Sequence, residues 1–230
     1  MTIQDLKHIK LFVLLLLLIN NPLFAQSKSL EKEEMEVFLL GMFNHYSADT
    51  YVPSHPVLKD KLTFFLKENF FEIFKDSLSV YAQKNNFLYS IKQKDLIRVY
   101  KLQQENPFLK YYTQKRNNDS YHSDPESDEL YELYHLHLQK KAFTNKEMKL
   151  YFLLGAFIND GEVVSDNYIF TSGNTNYIDF IQELLKDLKI KIIEVKEHKK
   201  NYTGSVKKIT FKPSGEFEIL LQQNEKLWKK

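Results

Sequence analysis

The chain is 230 residues long, with 32 basic and 30 acidic side chains, a formal net charge of +2 and no cysteine. Without cysteine there is no disulfide framework, no thiol for lipid attachment and no thiolate metal ligand. The near-neutral balance and the scarcity of arginine, confined to Arg98 and Arg116, argue against a nucleic-acid binder, whose domain is ordinarily strongly basic.

Lys7 and Lys10 precede the apolar run Leu11 to Ile19, which Asn20, Asn21 and Pro22 break ahead of Leu23, Phe24 and Ala25. A positive start, a short apolar stretch, a helix break and a small residue follow the layout of a secretory signal peptide cut after Ala25. Residues 1–25 are read as that leader. Its apolar run is far shorter than the about 20 residues a membrane-spanning helix needs, so no stable membrane anchor is expected after cleavage. A cysteine-free exported chain fits a bacterial envelope, which makes the expected location periplasmic or extracellular. Loss of Lys7, Lys10 and Asp5 with the leader leaves the charges almost balanced.

After the leader, Ser29 is a candidate N-cap for a helix through about Phe43, with Glu31, Lys32, Glu33 and Glu34 as its solvated start and Val37, Leu40 and Gly41 on its inner side. Pro53 and Pro56 punctuate a turn, and Val57, Leu58, Leu62, Phe65 and Leu66 then recur at helical spacing. Asn69 and Glu72 resemble a capping box ahead of a helix with Phe70, Phe74, Leu78 and Tyr81 inside. Phe87 to Ile91, Leu96 to Tyr100 and Phe108 to Thr113 read as a short antiparallel meander. The polar stretch Gln114 to Asp124 reads as an exposed linker and as the boundary between two parts, 26–124 and 125–230, which one continuous domain would also accommodate.

Asp124-Pro125 is a good N-cap and first-turn pair for a helix ending near Lys140 and Lys141. Thr144 and Glu147 form a second capping box before a helix with Leu150, Leu153, Leu154 and Phe157 inside, closed by Asp160-Gly161 with the glycine expected in the left-handed conformation. Val163-Val164 and Tyr168 to Phe170 flank Ser165-Asp166-Asn167 as a hairpin. Tyr177, Ile181, Leu184, Leu185 and Leu188 mark another amphipathic helix. Ile190 to Val195, Val206 to Phe211 and Phe217 to Leu221 close the chain as strands. The fold class is therefore α+β: an N-terminal helical layer with a short antiparallel meander, then a C-terminal unit of helix, hairpin, helix and antiparallel strands.

The densest metal-capable group lies between His122 and His137. On the expected helix Asp128, Glu132 and His135 share one face at i, i+4 and i+7, so a cation would find three ligands. His137 does not join them, because two residues turn a helix by about 200°. A solvated acidic helix face explains the same residues without a metal, and no established metal motif is matched. There is no nucleophile elbow and no glycine-rich phosphate loop, so no catalytic site is recognised and no cofactor is expected.

The segment Leu153-Leu154-Gly155-Ala156-Phe157-Ile158-Asn159-Asp160-Gly161 is similar to the helix-ending motif of LAGLIDADG homing endonucleases, and residues 147–221 follow that family's element order. The resemblance implies a divalent-metal ligand at Asp160. The motif's other acidic position is Ile158, a departure. Phe38-Leu39-Leu40-Gly41-Met42-Phe43 is a partial second copy, with Tyr46 and Ser47 where the aspartate and glycine belong and without the hairpin that should follow.

From the residues alone, the expected function is that of an exported, non-catalytic protein of the bacterial envelope, an immunity-type or accessory chain binding another protein or envelope component and no nucleic acid. A metal- or carboxylate-dependent envelope hydrolase stands as the alternative. A degenerate LAGLIDADG-like fold without nuclease activity stands third.

Overall fold

The computed structural model of this chain describes residues 31–42, 52, 54, 61–65, 71–86, 89–94, 97–102, 107–123, 128–200 and 204–229. The leader-like segment, Ser29, Pro53, Pro56, Asn69, Tyr46 and Asp124-Pro125 lie outside these residues. Among them no helix is long and apolar enough to cross a membrane.

Two helices form the centre. Helix α1 (Lys32–Met42) begins where the Glu31 backbone N–H donates to the Glu34 carboxylate at 3.0 Å, and everything from Glu34 to Met42 is buried. Burial all round a helix is expected only of a central one. Helices α2 (Phe71–Asn85) and α3 (Lys146–Asp160) lie against it. The N-cap of α3 is Asn145, whose side chain accepts from Met148 N–H at 2.8 Å, and not the expected Thr144.

At the crossing of α1 and α3 the backbones touch. A Cβ on Gly41 would stand 2.1 Å from the Phe152 carbonyl oxygen, and a Cβ on Gly155 would stand 2.1 Å from that of Phe38. The contact is reciprocal. The same shift in sequence carries Phe38 onto Phe152 and Gly41 onto Gly155, so the two copies of the Leu-Leu-Gly motif meet about a local two-fold axis.

The elements after each helix repeat this relation. Strands β1 (Lys61–Phe65), β2 (Tyr89–Lys94) and β3 (Ile97–Leu102) form an antiparallel sheet in the order β1-β3-β2, with α2 between β1 and β2. Strands β6 (Gly161–Val164), β7 (Asn167–Ser172), β8 (Lys191–Lys200) and β9 (Gly204–Lys212) form a second in the order β6-β7-β9-β8, with helix α4 (Thr175–Asp187) between β7 and β8. Strands β1, β3 and β2 thus match β7, β9 and β8. Within the helix expected around Val57 to Leu66, Lys61–Phe65 form β1, and the remainder lies outside the described residues. Leu62 and Phe64 stand opposite Tyr100 and Arg98, and pairing with β3 overrides the helical spacing.

Between the two repeats runs a ribbon of β4 (Tyr112–Ser123) and β5 (Leu130–Leu138), antiparallel with a bulge between Arg116 and Tyr121. Both the linker expected at Gln114–Asp124 and the helix expected up to Lys140 are corrected here. Leu130-Tyr131-Glu132-Leu133-Tyr134-His135-Leu136-His137-Leu138 carries leucine at period three and an apolar alternation of Tyr134, Leu136 and Leu138 at once. The polar partner strand supplies the ladder that settles the period at two.

At the C-terminus, helix α5 (Gly215–Gln223) replaces the expected strand, and a short α6 (Glu225–Trp228) follows. On a strand Phe217, Ile219 and Leu221 would share a face; on α5 Phe217 and Leu221 are buried at i and i+4 while Ile219 turns out, 53% exposed. Gly161, the C-cap of α3, is extended (φ −89°), not left-handed. Its need for glycine is steric, since a Cβ would lie 2.3 Å from the Phe157 ring and 2.4 Å from the Phe157 carbonyl.

One apolar core runs from Met35 through the ribbon's Leu136 to Leu227. Phe157 sits in it edge-on to Phe170 and Phe211, which stack on each other at 5.1 Å. A buried carboxylate ties the N-terminal elements: Glu36 (0% exposed) accepts from the Tyr81 and Tyr111 hydroxyls, each at 2.7 Å, and from Lys110 at 2.7 Å. Burial, and next the hydrogen bond to Glu36, pushes both phenols far above their ordinary range.

Candidate functional site

The end of α3 carries Asp160, only 7% exposed, with the Asn159 side-chain amide donating to its carboxylate at 3.4 Å. Beside it Tyr177 of α4 donates its hydroxyl to the Gly41 carbonyl at 2.7 Å, bridging the second repeat to the end of α1. Burial, then the Asp160 charge, raises that phenol well above its ordinary value. By the repeat relation the partner of Asp160 is Tyr46, outside the described residues and not an acid. The helix pair therefore brings one motif carboxylate to this end.

The second sheet has two unlike faces. Tyr168, Phe170, Ile209 and Phe211 look inward to α3 and α4. On the other face Thr171 stands opposite Lys208, Lys196 opposite Lys208 on the far side, and Lys191 opposite Lys212. Glu162 and Glu194 are the acidic residues there, paired with Lys208 at 3.4 Å and Lys196 at 2.8 Å. Lys212 donates to the Asp166 carbonyl at 3.1 Å. Among the described side chains, four lysines against two carboxylates leave this face positive.

The ribbon distributes the sequence-derived metal candidates differently from the expected helix. Asp128 precedes β5 in a left-handed conformation (φ 56°) and is exposed. Glu132 is held by Arg116 at 2.7 Å and accepts from the Tyr134 hydroxyl at 2.9 Å. His135, three residues on, projects from the opposite face of the strand, opposite Lys115. The structure thus separates Glu132 from His135 and brings His135 beside His137, which a helix would set apart, with ring centroids 6.4 Å apart. Among the described residues no group of three or more metal-ligating side chains converges.

Two cavities accompany these surfaces. One of about 490 Å³ lies between the ribbon and α4 and is lined by basic, imidazole and amide side chains. A larger cleft of about 730 Å³ lies between the β6–β7 turn and the C-terminal helices, where Tyr168 and Trp228 meet Glu218 and Glu225. Lys229 occupies Glu225 at 2.6 Å, and Trp228 donates its indole N–H to the Leu221 carbonyl.

No family model and no curated protein matches the chain. Solved structures do. The homing endonuclease I-DmoI in complex with DNA and Mn aligns over 87% of this chain and 99% of its own, at 9% identity and a TM-score of 0.44. Full-length DUF199/WhiA from Thermatoga maritima aligns over 86% of this chain and 57% of its own, at 13% identity and a TM-score of 0.44. The N-terminal LAGLIDADG domain of DUF199/WhiA aligns over 89% and 88%, at 13% identity and a TM-score of 0.41. The resemblance is one of fold, and it is weak.

These neighbours correct the function expected from sequence. Among them are a homing endonuclease solved on DNA and a LAGLIDADG domain, where an exported protein binding another protein was expected. The expected exclusion of a nucleic-acid partner runs counter to these neighbours, one of which is solved on DNA. That exclusion rested on whole-chain charge, whereas the lysines of the second sheet are concentrated on one face.

Proposed function

We propose that this chain is a double-stranded-DNA-binding protein on a LAGLIDADG-type scaffold that does not cut. The observation that carries the reading is the reciprocal approach of Gly41 to Phe152 and of Gly155 to Phe38, which sets two copies of one helix–strand–helix–hairpin unit about a two-fold axis. The outer face of the second sheet supplies Lys191, Lys196, Lys208 and Lys212, point charges suited to backbone phosphates rather than to base edges.

The residues do not fit the pair of divalent metals that double-strand cleavage by this fold implies. One helix ends in Asp160, nearly buried; the other has Tyr46 at the corresponding position, and Ile158 occupies the motif's remaining acidic place. Two-metal displacement needs carboxylates clamping both attacking and leaving oxygens. No hydrolytic step is therefore assigned.

Fluorescence anisotropy with a labelled duplex between about 50 and 200 mM salt tests the reading. Log affinity is expected to fall linearly with log salt, at about 0.9 per phosphate contacted. Lys208→Gln with Lys212→Gln should flatten that slope by about 1 to 2. Absence of duplex binding at the lowest salt would sink it.

A further inference from the structure

One face of the β4–β5 ribbon carries chemistry that neither the fold nor the second sheet uses. Thr113 stands opposite His137 and Lys115 opposite His135, so Lys115 and the two imidazoles share that face. It looks across the 490 Å³ cavity to Asn176 in the first turn of α4, and Asn117 and Asn118 of the bulge complete the lining. Arg116 reaches the cavity's edge while its guanidinium is held by Glu132. Among the described side chains no carboxylate lines the cavity.

The donor set selects its ligand. An ammonium, two imidazoles able to donate and three amides offer hydrogen bonds to a tetrahedral oxyanion from several directions. Among the described side chains a metal cation would find only the two imidazoles as good ligands, and it would be repelled by Lys115. The positive end of the α4 dipole adds to the same preference. The cavity's place also fits: Tyr177, next to Asn176, donates to Gly41 at the end of α1 near Asp160.

We propose that the cavity between the β4–β5 ribbon and the first turn of α4 is a phosphate site built by Lys115, His135 and His137. On the DNA-binding reading, on which its assignment to nucleic acid rests, the ribbon clamps a backbone phosphate at the Asp160 end of the helix pair, separately from the lysines of the second sheet. A small phosphate-bearing ligand is the other source of the same chemistry.

The test uses the full chain, in two arms. In the first, duplex affinity is measured against salt for the wild type, for Lys115→Gln, and for Lys115→Gln with His135→Gln and His137→Gln. Lys115 is exposed, so its single variant leaves folding intact. The salt slope is expected to drop by about 1 in the single variant and further in the triple one. In the second arm, inorganic phosphate is titrated while the imidazole NMR signals of His135 and His137 are followed; both should move saturably, and should stop moving in Lys115→Gln. If the wild type binds duplex but ribbon variants keep its slope and phosphate leaves the imidazoles unmoved, the site is wrong and the DNA-binding reading stands. If the wild type ignores duplex while phosphate moves both imidazoles, the site stands with a small ligand and the DNA-binding reading falls. Silence in both arms overturns both.

Discussion

At the scale of single residues, the glycines separate two reasons for the same amino acid. Gly155 has ordinary helical geometry but no room: a methyl group would meet the Phe38 carbonyl, backbone against backbone, where neither side can yield by a rotamer change. Gly215 has open space and a left-handed φ of +59°. Gly155→Ala is therefore expected to cost about 3 kcal/mol or more, and Gly215→Ala about 1 kcal/mol. Urea denaturation of the two variants checks the order, and near-equal midpoints would refute the close helix crossing. The tyrosines give a second residue-scale outcome. Tyr81, Tyr111 and Tyr177 have phenols raised in the folded state, chiefly by burial. Their contribution is complete below the unfolded phenol's pKa of about 10 and is lost as pH climbs from there towards the folded values, at about 1.4 kcal/mol per pH unit for each. Unfolding midpoints measured from pH 9 to 11 should fall steeply, and less so in Tyr111→Phe; parallel curves for the two proteins would contradict the Glu36 cluster.

At the scale of elements, the β4–β5 ribbon shows what a single strand's sequence leaves open. Its buried anchors are Leu136 and Tyr112, and its most visible polar pair is Arg116 with Glu132, both well exposed. Apolar burial outweighs a solvent-screened ion pair. Leu136→Ala should cost about 2 to 4 kcal/mol and Arg116→Ala less than about 1 kcal/mol, read from the same denaturation curves. The reverse order would mean that the ribbon is held by its polar surface. This element also hid the candidate phosphate site. His135 and His137 fall on opposite sides of a helix but on the same side of a strand, so their association appears only once the period is known.

At the scale of the whole molecule, the two-fold is structural while the chemistry at its axis is lopsided. Asp160 has Tyr46 as its sequence counterpart, so supercoiled plasmid incubated with the protein and magnesium is expected to stay uncut while duplex binding persists. Magnesium-dependent nicking that disappears in Asp160→Asn would reverse that conclusion and give the aspartate a ligand's role.

The Leu-Leu-Gly-x-Phe repeats, the hairpin at Ser165-Asp166 and the amphipathic α4 could be read locally, because side-chain period, turn residues and helix caps act over a few neighbours. The glycines of the two repeats were likewise visible as letters. What they do was not: only the crossing of α1 and α3 shows that each glycine admits the other helix's carbonyl. Strand β1 was decided by tertiary pairing, the ribbon by pairing and burial, and α5 by burial, since Leu62 to Phe65, Leu130 to Leu138 and Phe217 to Leu221 each satisfy both periods. Charge followed the same division. Composition fixes a net value for the chain, but the placing of Lys191, Lys196, Lys208 and Lys212 on one sheet face depends on register, which is set by strands far apart in sequence.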